Sequence, residues 1–268
     1  LNDDEMKEVT GSETYFGGSY DKGEAHCHPL NYALGIAKAA LSANAKIYEN
    51  STVSGYELSN GHVKVNTKAG SVKAQRVVLA CNGYLGNLER RLNSKILPMN
   101  NYIVATKPLD NETVAKINPR DIAFADSRFV INYFRLSADK RLLFGGGENY
   151  SQELSNNIIP IVTKPLEKIY PFLRGVKIDY AWGGKLAITM NRLPFYKEMN
   201  QGRVLSAQGY SGQGVALASY AGKVITEKIT GDGEIFDTMA NIPMQSFPGG
   251  RFLRNPTMKI GMFYHALL

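Results

Sequence analysis

Residues 203–222, Arg-Val-Leu-Ser-Ala-Gln-Gly-Tyr-Ser-Gly-Gln-Gly-Val-Ala-Leu-Ala-Ser-Tyr-Ala-Gly, carry the pattern strand, glycine turn, helix. Val204 to Ala207 form a short run, followed by Gly209, Gly212 and Gly214. Val215, Leu217, Ala218, Ala221, Val224, Ile225 and Ile229 then recur at helical spacing until Thr230-Gly-Asp-Gly233 stops them. A turn rich in glycine lets a ligand come close to the backbone, and the first N–H groups of a helix have no partner within it. Such a turn favours a negatively charged ligand, which Gly209, Ser211, Gly212, Gln213, Gly214 and Val215 would contact. Close packing of a strand on a helix also produces Gly-x-x-Gly-x-Gly, and this stretch alone leaves both readings open.

The 268 residues are 44% apolar and 21% charged, the composition of a globular protein of one large or two moderate domains. The formal charge of +7 comes from scattered lysines and arginines, without the basic stripe or aromatic motif that nucleic-acid binding calls for. Two distant cysteines, Cys27 and Cys81, make no disulfide framework and fit a reducing, cytoplasmic setting. No apolar run reaches the length of a membrane span. His26-Cys27-His28 places three potential metal ligands in a row, but neighbouring residues point in different directions and a closed site needs about four, so no metal is expected. Pro29 suits the first turn of a helix whose buried side is Leu30, Leu34, Ala37 and Leu41, ending near Asn44.

Extended patterns dominate elsewhere. Residues 14–20, 46–48, 52–58, 62–67 and 71–80 read as strands, with Asn60-Gly61 and Ala69-Gly70 as hairpin turns. Val77 to Ala80 is apolar throughout, as in a strand buried on both faces, and Asn82-Gly83 follows it at the end where open α/β sheets gather ligands. A second block, residues 96–186, reads as antiparallel strands at 101–106, 129–136, 141–145 and 176–183, with a helix at 158–170. Tyr133 and Arg135 share one strand face. Aromatic residues on sheets are mostly core; if this face is instead a pocket wall, the two are the candidate catalytic residues.

Several strings together resemble the FAD-dependent amine and amino-acid oxidoreductases of the D-amino-acid-oxidase, glycine-oxidase and sarcosine-oxidase superfamily, and within it the γ-glutamylputrescine oxidases. They are His28-Pro-Leu30, Ala45 to Val53, Val77-Val-Leu-Ala-Cys-Asn-Gly83, Arg141-Leu-Leu-Phe-Gly-Gly146, Trp182-Gly-Gly184, Gly209-Tyr-Ser-Gly-Gln-Gly-Val215, and the ending Phe247-Pro-Gly-Gly-Arg-Phe-Leu-Arg254 with Pro256. The resemblance implies an α/β fold with α+β character, an FAD-binding domain interwoven with a substrate domain built on an antiparallel or mixed sheet. It implies substrate-domain pieces at 1–25 and 96–186, and FAD-domain pieces at 26–95 and 187–268. It further implies that Val53 meets adenine through its backbone, that Ala80 to Gly83 lie against the cofactor, and that Gly212 to Val215 face the flavin's pyrimidine edge. There the positive end of a helix dipole favours reduction. The implied reaction is hydride loss from the carbon beside an amine nitrogen onto flavin N5.

The departures carry expectations too. No Gly-x-Gly-x-x-Gly occurs in the sequence, so the chain reads as a family member without its first βαβ unit, with an incomplete FAD site and a sheet edge left to pair with a second copy or to be covered by the tail. Glycine and D-amino-acid oxidases place a carboxylate-binding arginine eight residues before a proline; before Pro194 that position is Leu186, so an amine without a carboxylate on its reacting carbon is expected. Arg135 and Arg192 are the alternatives for that task. Cys27 and Cys81 both lie far from Leu186, so the flavin is expected to be held without a covalent bond. A non-catalytic assembly subunit and an unrelated phosphate- or nucleotide-binding module are the competing functions.

Overall fold

In a computed structural model of the chain, residues 1–59, 61–128, 130–149, 153–248 and 253 are described. In chain order the helices are α1 (Asp3–Thr10), α2 (Pro29–Ser42), α3 (Arg90–Asn93), α4 (Asn111–Ile117), α5 (Ile159–Ile169), α6 (Gly214–Thr230) and α7 (Glu234–Ala240). The strands are β1 (Val53–Ser59), β2 (His62–Thr67), β3 (Ser71–Ala74), β4 (Val77–Leu79), β5 (Leu97–Thr106), β6 (Phe124–Ala125), β7 (Tyr133–Leu136), β8 (Leu142–Asn149), β9 (Ile178–Ile188), β10 (Phe195–Met199) and β11 (Val204–Gln208). The chain divides into two compact units, one of residues 1–36 and 100–184, the other of 37–99 and 185–268.

The first unit is built on a five-stranded sheet in the order β6-β7-β8-β5-β9. Pairing is antiparallel from β6 through to β5, with Tyr133 opposite Gly145 and Gly145 opposite Ile103. One face is core: Tyr102, Val104, Phe134, Leu136, Leu142 and Phe144 pack with Val162, Leu166 and Ile169 of α5. The Phe134 and Phe144 rings stack with centroids 5.4 Å apart. Because side chains alternate, Tyr133, Arg135, Leu143 and Gly145 fall on the opposite face. At the start of the chain, Asn2 and Glu5 form a reciprocal capping box that begins α1, with bonds of 2.9 and 2.8 Å.

The second unit holds an antiparallel sheet, β1-β2-β3, and a second sheet in the order β10-β11-β4. β11 pairs antiparallel with β10 and parallel with β4. Leu205 and Ala207 face Ala221, Val224 and Ile225 of α6 and Phe236 of α7, while Val204 packs with Leu79, Leu85, Ile96 and Phe195. All five β11 residues are therefore buried. β4 is an edge of its sheet, with Val78 exposed. The tail expected to cover an edge lies, with most of the 247–256 motif, outside the described residues.

Residues 71–80 split into β3 and β4 of different sheets, β4 is a partly exposed edge rather than a strand buried on both faces, and three more expectations fail. Residues 14–20 form no strand: Ser12 Oγ donates to Ile169 O at 2.8 Å and Gly18 N to Leu1 O at 3.0 Å, so side chains and isolated turns fix this segment in place of a ladder. Residues 46–48 likewise belong to no ladder among the described residues. The third is the buried side of α2. Leu30, Leu34 and Leu41 are 61%, 58% and 54% exposed and Ala37 is half-buried, because no described element lies against that face.

Candidate functional site

In the second unit the two strand ends that the sequence singled out are tied together. β4 runs into an exposed Ala80 and a single 3₁₀ turn at Asn82–Tyr84. Asn82, held at φ 45°, accepts the Gly209 N–H on its side-chain oxygen at 3.0 Å, which joins the end of β4 to the end of β11. Gly83 is buried so tightly that a Cβ would come within 2.7 Å of Lys185 O. Tyr84 OH accepts the Lys185 N–H at 3.1 Å.

The glycine turn follows. Gly209 takes φ 75°, and a Cβ there would also collide with the Thr189 methyl. Ser211, at φ 51°, donates its N–H to Ala187 O at 3.0 Å and its hydroxyl to Gly209 O at 3.2 Å, so the turn is braced from below. Above the brace, Gly212 at φ 101° has open space where a side chain would be, Gln213 leads α6 with no side-chain cap, and Val215 is half exposed. The start of a 17-residue helix is thus presented with its N–H groups uncovered by side chains. Val53 opens β1, on the other sheet of this unit, and is exposed.

Burial raises the Cys81 thiol, and raises the Tyr210 phenol to about 12, its hydroxyl donating to Ala207 O at 3.0 Å. Gln208, wholly buried on the last position of β11, has neither amide atom hydrogen-bonded.

The first unit places the other two candidates. Tyr133 extends across its strand neighbour Gly145, where a Cβ would collide with its ring, and donates its hydroxyl to Asn101 Oδ1. Arg135 donates to Leu136 O at 3.0 Å and to Cys27 O at 2.8 Å. Its guanidinium therefore clamps the 26–28 segment to β7. A cleft of about 870 Å3 in this unit, lined by Leu1, Tyr15, His26, Arg128 and Phe134 among others, lies by Phe134, on the far face of β7 from Tyr133.

The His26-Cys27-His28 run has local partners: His26 Nε2 lies 3.0 Å from Asp121 O, and His28 Nδ1 accepts the Asn31 N–H at 3.3 Å, capping α2. Among the described residues no group of three or more His, Cys, Asp or Glu side chains is placed to hold a metal ion, and no helix is long and apolar enough to cross a membrane.

Sequence reading missed Asn82 as the tie, Asn101 as the partner of Tyr133, and Gln208. Asn82 had a signal in its position after an apolar strand; Asn101 had none, because its role depends on register.

A parallel strand pair ending in a braced glycine turn and an uncapped helix start is a backbone cradle of the kind that receives an electron-rich ligand edge. Residues 1–228 match the family described as FAD dependent oxidoreductase, and the chain belongs to that family. FAD is the family's cofactor.

The chain is 36% identical over 267 residues to the probable oxidoreductase OrdL of Haemophilus influenzae, covering 98% of this chain and 61% of that protein. It is 35% identical over 268 residues to the gamma-glutamylputrescine oxidoreductase of Escherichia coli, covering 100% of this chain and 62% of that one. The glycine oxidase structure from Geobacillus kaustophilus shares the fold with a TM-score of 0.73 at 20% identity, over 86% of this chain and 62% of that one. The chain thus spans about three fifths of the length of the curated relatives it matches.

The residues present fit part of the cofactor. Gly212 to Val215 offer an open backbone cradle at a helix start, as a ring edge with acceptor oxygens requires.

Proposed function

We propose that the full-length protein is an FAD-dependent oxidoreductase acting on a primary or secondary amine of the γ-glutamylputrescine kind, whose reacting carbon carries no carboxylate. When bound, FAD supplies a hydride acceptor for the carbon beside nitrogen. Gly209 to Val215 would hold one end of it, with Ala80, Gly83 and Val53 toward the other. Tyr133 would contact the amine, and Arg135 would fix the strand that carries it.

The observation that carries the substrate class is the side chain at position 186. Leu186 is half-buried on β9 and offers a carboxylate nothing. The alternatives do not replace it: the Arg135 fork is committed to two backbone carbonyls, and Arg192 sits exposed at φ 63°. The test is turnover of the full-length protein on γ-glutamylputrescine, simple amines, glycine and a D-amino acid. The amines are expected to be preferred, and a clear preference for glycine or the D-amino acid refutes the proposal.

The flavin is held without a covalent bond on this reading. Cys81 is half-buried with its thiol raised by burial, which keeps it protonated and a poor nucleophile, and Cys27 is an exposed residue of the first unit. Yellow colour staying with acid-precipitated polypeptide would contradict this.

A further inference from the structure

Arg141, between Asp139 and Asp179 at 2.6 Å each, and Arg120, 3.0 Å from Glu8, show how closely the first unit can hold a cation. Around one groove of the same unit the cations lack such partners. The groove, of about 570 Å3, runs between α5, the 3₁₀ turn that follows it at Pro171–Leu173, and the segment leading into β7. Arg128, Lys164, Lys168 and Arg174 line it, and among the described residues Glu167 is the only carboxylate in the lining.

Helical spacing brings the two lysines together. Lys164 and Lys168 stand at i and i+4 on α5, where like charges repel instead of supporting the helix. Both are exposed, and neither has an ion pair among the described residues. Arg174 is 77% exposed, with its Nε 3.9 Å from Glu167. Arg128 Nε lies 3.7 Å from an Asp126 carboxylate that already accepts the Asn132 backbone and side-chain N–H groups at 2.9 and 2.8 Å. Both guanidiniums are thus at the outer limit of ion-pair distance, with N–H groups left to give.

The groove is separate from the site described above. α5 packs with Phe134 and Phe144 on the core face of the sheet, and Tyr133 is on the opposite face. Ile161 and Pro165, on the same side of α5 as the lysines, and Val130 give the groove a half-buried apolar lining. Its volume is that of a small-molecule site. No aromatic residue lines it, so it lacks the stacking platform that a nucleic-acid strand uses. Cations drawn from three segments favour a ligand with more than one anionic group, because a monoanion reaches only some of them.

We propose that this groove binds a small multivalent anion, a molecule carrying two or more phosphate or carboxylate groups, held by Lys164 and Lys168 from α5 and by the Arg128 and Arg174 guanidiniums. An arginine fork takes either group in two parallel bonds. The site is independent of the amine reading.

The experiment uses the FAD-loaded full-length protein, so that the flavin's own phosphate site is filled. Calorimetric titration with pyrophosphate or citrate is expected to show one saturable site per chain that weakens as salt is added, and acetate should not bind. Whichever of the two anions binds more tightly identifies the charged group of the ligand. Lys164→Gln, Lys168→Gln and Arg174→Gln each remove one charge and are each expected to raise Kd about 10-fold. Lys73→Gln, at an exposed lysine on β3 of the second unit, controls for general attraction to a chain of charge +7 and should leave Kd unchanged. No saturable binding, acetate bound as well as pyrophosphate, or Lys73→Gln as damaging as the groove variants overturns the proposal.

Thermal unfolding separates lost binding from lost folding. Glutamine keeps the helix propensity of lysine and relieves a like-charge pair, so the Lys164→Gln/Lys168→Gln double variant should melt no lower than wild type. Pyrophosphate should raise the Tm of wild type and not that of the double variant. An equal rise in both overturns the proposal as well.

Discussion

Around Gly209 the second unit presents backbone; around Tyr133 the first presents side chains. The glycine turn is shaped by φ angles, by a brace from Ser211 to Ala187 O, and by the tie from Asn82, and its outer rim is bare main chain. The open sheet face of the first unit depends on which residues stand opposite one another: Tyr133 on Gly145, and Asn101 at a shift in register. A backbone site tolerates little at its fixed points, because a clash there meets atoms with nowhere to go. A site made of side chains can yield, since a ring can swing aside.

The comparison is broken most decisively by cofactor retention. The backbone cradle should not hold FAD by itself, because the 268 residues contain no Gly-x-Gly-x-x-Gly to cradle the charged pyrophosphate. Losing several charge-assisted bonds of roughly 1.5 to 3 kcal/mol each weakens binding by orders of magnitude. The isolated chain, mixed with FAD and passed through gel filtration, should emerge without flavin absorbance. Retention near one flavin per chain would mean that the turn and β4 end suffice, or that two copies complete the site together.

Next in size is Gly209→Ala. A positive φ and a collision with the buried Thr189 methyl act together, and the expected loss is about 3 kcal/mol in urea unfolding. A loss under about 1 kcal/mol would show the turn to be pliable.

Tyr210 sharpens the comparison by giving the backbone site a side-chain anchor. A phenol ionises near 10 in an unfolded chain but at about 12 here, chiefly because of burial. Between those values the unfolded chain has released its proton and the folded chain has not, so stability that is full below pH 10 declines as pH rises toward 12. The Tyr210 share is on the order of 2 kcal/mol. It appears as the difference in pH dependence between wild type and Tyr210→Phe; identical curves would deny it.

The smallest effect on stability is expected at Gly145→Ala. The atoms it displaces are the far end of the Tyr133 side chain, which can shift where backbone cannot, so the cost should be about 1 kcal/mol, the low end for overpacking. Thermal unfolding checks this, and a loss as large as that of Gly209→Ala would erase the contrast between the two regions.

The same contrast governs what was legible in the sequence. Backbone sites announce themselves, because only glycine satisfies a positive φ or a close approach, and Gly83, Gly209 and Gly212 stood out for that reason. The strands β1, β2, β5 and β11 and the helices α2, α5 and α6 followed from periodicity, yet α1, α4, α7, β6 and β10 did not. For α1 the signal was present in Asn2 and Glu5, the ends of a capping box. Asn101 was beyond reach, because no local pattern says that a residue on one strand will meet a tyrosine two strands away. Arg135 misled for a related reason: a guanidinium on a strand face looks available until its carbonyl partners are known.

The chain's route between its two units has a consequence for synthesis. It leaves the first unit after residue 36, returns at 100 and departs for good at 184, so neither unit is made from one continuous piece. A ribosome releasing roughly 5 to 20 residues per second delivers the whole five-stranded sheet and α5 before β10, β11 and α6 exist. During that interval β4 is already outside the exit tunnel with its parallel neighbour still unmade. The sheet of the first unit can thus be complete for several seconds before the strand that pairs parallel with β4 has been made, so the two units are expected to fold in that order.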